Sequence, residues 1–84
     1  MKAYSMVKTH EADDGEMVDA LFALCADGVE SNICMQELGN GDFRVYRDLG
    51  ETQQDVGFAT GYAAALAMGT KAYILNAMKT DEAF

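Results

Sequence analysis

Eighty-four residues, half of them apolar and about a quarter charged, are enough for one hydrophobic core and too few for a second domain. The composition is too apolar for a disordered chain. Fourteen Asp and Glu against six Lys and Arg leave a net charge of −8, a field that repels nucleic acid and favours solubility or a basic protein partner.

From the amino terminus, Lys2–Thr9 alternates Tyr4, Met6 and polar residues, the period-two pattern of a strand. Asp13 and Glu16 then form a capping pair, which predicts a helix to about Asp27 with Gly28 as its left-handed stop. On a helical wheel Met17, Val18, Leu21, Leu24 and Cys25 share one side, and Glu16, Asp19, Ala23 and Asp27 the other. With Glu11, Asp13 and Asp14 ahead of it, that outer side reads as a row of carboxylates.

Ser31–Leu38 and Asp42–Asp48 flank Gly39-Asn40-Gly41, and Asn-Gly is the dipeptide that best accommodates the positive φ angles of a hairpin turn. With Asn40 and Gly41 as the central turn residues, Leu38 faces Phe43, Glu37 faces Arg44 and Met35 faces Tyr46. Thr52 and Asp55 predict the start of a second helix to Met68, with Gly69 as its stop, followed by a strand over Lys71–Met78 and a loose tail at 79–84. The order βαββαβ in one domain, 1–84, is that of a ferredoxin-like split βαβ sheet with both helices on one face.

No catalytic motif stands out. His10, the single histidine, lies at the end of the first strand and reads as a surface residue. Cys25 falls on the apolar side of its helix and reads as a buried thiol, while Cys34 sits in a strand. Neither cysteine belongs to a CxxC pair, so the chain is read as reduced and needing no metal or other cofactor. Asp13-Asp14-Gly15-Glu16 lacks the ligand spacing of a calcium loop, and Gly57–Gly61 lacks the lysine of a phosphate loop. No leader and no spanning apolar run is evident, and a cytoplasmic setting is expected.

Val56–Thr70 contains no charged residue. As a helix it would turn Val56, Ala59, Ala63, Leu66 and Ala67 toward the sheet and Gly57, Gly61, Ala64 and Met68 away from it. Glycines inside a helix cost about 1 kcal/mol each relative to alanine, which points to a close approach by something else. Homodimerisation through that second stripe, or through the open face of the sheet, is the expectation.

In size, acidity and compact α+β layout the chain resembles the small inhibitors that phages make against bacterial defence systems, including anti-CRISPR proteins. The resemblance is one of overall character across the whole chain, with no motif, so no residue role carries over from it. It implies a non-enzymatic, acidic interaction module that occludes a basic nucleic-acid-binding surface of a partner, such as a CRISPR effector, in the cytosol of a bacterial or phage-infected cell. Glu11, Asp13, Asp14, Glu16, Asp19 and Asp27 are then the candidate contacts. The alternatives are a dimeric ferredoxin-like subunit that binds or converts a small molecule, with Tyr4, Met6, Tyr46 and Tyr73 lining its pocket, and a purely structural subunit of an assembly.

Overall fold

A strand whose two neighbours in sequence are also its two neighbours in space needs only short turns, and this chain is built that way. The computed structural model describes residues 2–11 and 20–82, with side chains described through residue 75. Five strands, β1 (Tyr4–His10), β2 (Leu21–Ala26), β3 (Val29–Glu37), β4 (Asp42–Asp48) and β5 (Gln53–Thr60), precede one helix, α1 (Tyr62–Glu82). They form a single antiparallel sheet in the order β1-β2-β3-β4-β5, and α1 packs across one face.

This corrects the βαββαβ reading. The segment Leu21–Ala26 is a central strand, not the end of a helix, and its run of apolar residues satisfies both faces of the sheet. Leu24 is wholly buried on the helix side, while Ala23 is 2% exposed on the other. Asp27 and Gly28 are the turn of the β2–β3 hairpin, with φ of 51° and 80°; that Asp-Gly pair supplies the two positive φ angles of a tight turn. The proposed capping pair, Asp13 and Glu16, lies outside the described residues.

The hairpin around Gly39-Asn40-Gly41 is present, shifted by one residue from the predicted pairing. Glu37 pairs with Phe43, Gln36 with Arg44, Met35 with Val45 and Cys34 with Tyr46. The turn is a three-residue loop: Leu38 N–H donates to the Asp42 carbonyl at 2.8 Å, the Asn40 Oδ1 accepts from Asp42 N–H at 3.1 Å, and Gly41 takes φ 90°. A one-residue shift exchanges the faces, so Met35 and Val45 meet in the core and Tyr46 lies on the opposite side.

The second predicted helix is likewise displaced. Gln53–Thr60 is the edge strand β5, and the helix begins after Gly61, whose φ is 91°. Gly61 N–H donates to the Gly41 carbonyl and its own carbonyl accepts from Ala65 N–H, both at 3.1 Å, which ties the helix start to the β3–β4 turn. Gly69 does not stop the helix. A Cβ there would stand 3.3 Å from Met35 Sδ and 3.4 Å from Ile33 Cγ2, so the missing side chain lets α1 settle onto the sheet. Lys71–Met78 continues this helix instead of forming a strand, and the helix runs into the segment read as a tail.

The core between sheet and helix comprises Met6, Leu24, Ile33, Met35, Phe43, Val45 and Ala59 from the strands with Ala65 and Ala72 from α1. Phe22 joins its rim through edge-to-face contacts with Phe43 and Tyr62, and Tyr4 meets Tyr73 similarly. Among the described residues, no helix is long and apolar enough to cross a membrane.

Candidate functional site: the uncovered face of the sheet

The register of the five strands decides which side chains share the face opposite α1. Val7 pairs with Ala23, Ala23 with Cys34, Cys34 with Tyr46 and Tyr46 with Asp55, so these form one row across the sheet. The adjacent row holds Gln36, Arg44 and Phe58. β5 carries an irregularity at Val56, where Gly57 pairs with Val45 but Asp55 with Tyr46; this extra residue returns Asp55 to the uncovered side.

The centre of the face is made tight by small groups and one aromatic ring. Ala23 and Cys25 are buried between their neighbours, and Tyr46 is only 7% exposed. The Arg44 guanidinium lies over the Tyr46 ring, 4.5 Å from its centroid, and is held by Asp55 Oδ1 at 2.6 Å and Gln53 Oε1 at 3.1 Å. Arginine suits this place because its planar fork can stack and donate at once. Phe58 stands beside this group at 68% exposure, and Val7 at 49% on the far side.

Charge on this face is unbalanced. Arg44 is matched by Asp55. Asp42 and Asp48 occupy the two ends of β4 on the same side, and Glu30 lies opposite Cys25; none of the three has a cationic partner among the described residues. Burial, then Asp48, pushes the Cys34 thiol above its ordinary value, and burial, then Cys34, pushes up the Tyr46 hydroxyl. Both groups therefore stay protonated near neutrality, and Cys34 lacks the thiolate character of a nucleophile. Among the described residues, no three His, Cys, Asp or Glu side chains converge as a metal site.

The acidic residues singled out in the sequence are not gathered on one helix. Glu11 sits beyond the end of β1, 3.5 Å from Lys8 Nζ, whereas Asp27 is at the opposite end of the β1–β2 pair and accepts from Ala3 N–H at 2.8 Å. Asp13, Asp14, Glu16 and Asp19 lie outside the described residues. The stripe Gly57, Gly61, Ala64 and Met68 is also divided. Gly57 is in β5 and Gly61 precedes the helix; Met68 turns inward, its Sδ 3.3 Å from where a Gly57 Cβ would be; and Ala64 alone faces outward. Tyr4, Met6 and Tyr73 belong to the helix side and Tyr46 to the other, so these four line no common pocket.

The grouping of Arg44, Gln53, Asp55 and Phe58 escaped the sequence reading because 53–60 was taken as helix. The alternation from Gln53 to Thr60 between Gly50 and Gly61 was the available signal. Comparison with protein-family models, curated proteins and solved structures found no match.

Proposed function

We propose that the chain is a non-enzymatic interaction module that meets a basic protein surface with the uncovered face of its sheet. One observation carries this reading: Glu30, Asp42 and Asp48, all without cationic partners among the described residues, lie on the same side as the exposed Phe58. A solvated face is ordinary for an antiparallel sheet, but such a face has no need of an aromatic ring in water beside unmatched carboxylates. Aromatic contact with a rim of complementary charge is the pattern of a recognition surface. A groove that handles nucleic acid is the partner class best suited to it, since carboxylates on a folded body compete there with phosphates.

The test is affinity capture with the whole chain, followed by competition with duplex DNA. A captured protein with a basic surface should be released by DNA and by salt, because exposed charges are screened over about 8 Å at physiological ionic strength. The triple variant Glu30→Lys, Asp42→Lys and Asp48→Lys should weaken capture at least tenfold, and Phe58→Ala should weaken it further. Retention unchanged by the triple variant and by salt would refute the reading.

A further inference from the structure

The outward side of α1 is a second unpartnered surface, and its character is different. Ala63, Ala64, Ala67, Lys71, Ile74 and Leu75 are all exposed at the three- and four-residue spacing that makes one stripe along a helix. Ile74 and Leu75 remain 41% and 48% exposed. Lys71 is the only charged member of the stripe, in a chain of net charge −8.

Two properties of this stripe select a second copy of the chain as its occupant. The first is the order of sizes, with alanines in the amino-terminal half and Lys71, Ile74 and Leu75 in the carboxy-terminal half. Two helices laid antiparallel about a twofold axis beside Gly69 bring Leu75 over Ala63, Ile74 over Ala64 and the stem of Lys71 over Ala67, in both directions at once. Large groups then meet small ones along the whole contact, as ridges fitting grooves require. The second property is charge. Two bodies of the same sign repel wherever carboxylates face each other, and this stripe has none.

We propose that α1 pairs antiparallel with α1 of a second copy, giving a twofold dimer whose two uncovered sheet faces point outward. A helix about 30 Å long and 10 Å wide places the contact at the small end of stable interfaces, near about 1,200 Å² in total, so the dimer is expected to be micromolar. The pairing is independent of the partner-binding role of the sheet, and salt separates the two: it should strengthen the dimer by screening like charges while weakening capture of a basic partner.

Sedimentation equilibrium of the intact chain tests this, using size exchange at one contact. Ala64→Ile should clash with Ile74 of the partner subunit and lower dimer affinity about tenfold, and Ile74→Ala should lower it a few-fold by leaving a gap. The double variant exchanges the two sizes and should recover most of the wild-type affinity, a coupling that independent sites do not show. Because both positions are exposed, circular dichroism should report the same fold for every variant. A wild-type chain that stays monomeric to about 1 mM overturns the proposal, and so does a double variant whose loss is merely the product of the single losses.

Discussion

The two faces of the sheet are made by alternate residues of the same strands, yet they solve different problems. On the side of α1, Leu24, Ile33, Met35 and Val45 are large, apolar and essentially wholly buried. On the other side the corresponding positions hold Ala23, Cys25 and Cys34, with one ring, Tyr46, roofed by the Arg44 guanidinium. The first face excludes water by borrowing a helix, and the second limits exposure with small side chains and a polar cover. Burial therefore does not require a second layer everywhere, and the exposed Phe58 stands out against that economy of apolar surface.

The sharpest test of this contrast is to truncate one residue on each side. Leu24→Ala should cost about 2–5 kcal/mol, because it removes a wholly buried side chain and leaves a cavity under α1, whereas Phe58→Ala should change stability by no more than about 0.5 kcal/mol, as expected for a surface substitution. Urea denaturation compares the two directly, and similar losses would mean that the uncovered face is covered after all. A smaller effect is expected from Arg44→Ala. Its ion pair involves Asp55 with a side chain 73% exposed, and such pairs contribute about 0–1 kcal/mol. What should change more is access to the Tyr46 ring, readable as altered tyrosine fluorescence quenching by an added solute.

The gentlest probe is alkaline pH. The Cys34 and Tyr46 groups titrate in the fold above their ordinary values of 9.0 and 10.0, so the unfolded chain releases these protons first. Their contribution to stability is fully present below about pH 9 and is lost as pH rises through the folded values. Denaturation midpoints should fall between pH 9 and 11, and Cys34→Ala combined with Tyr46→Phe should flatten that fall. An unchanged slope would place the alkaline sensitivity elsewhere.

Parts of this architecture are legible in the residues, and the failures have definite causes. β1 follows from the alternation of Tyr4 and Met6, and the β3–β4 hairpin from Asn40-Gly41. β2 is hard to see because a central strand buried on both sides shows no alternation, and Leu21, Leu24 and Cys25 also fit a helical stripe. The Asp27-Gly28 dipeptide was the better guide, since it can serve a hairpin as well as a helix end. Gly69 misled for a related reason: in sequence a glycine marks a stop, whereas here it marks the closest approach of helix and sheet. The uncovered face was the least legible feature, because the one-residue register of β3 on β4 and the irregularity at Val56 together decide that Tyr46, Arg44 and Asp55 meet.

The position of α1 at the end of the chain has a consequence for how the molecule is made. All five strands pair with their neighbours in sequence, so each hairpin closes over a short separation and can do so as soon as its second strand is available. The residues that cover them, Ala65 and Ala72 among them, are synthesised last. During translation, then, the sheet exists before its roof, and Leu24, Ile33, Met35 and Val45 are open to solvent or to other chains until the helix has emerged. The order of the elements thus makes the last quarter of the chain the step that commits the sheet to a single molecule.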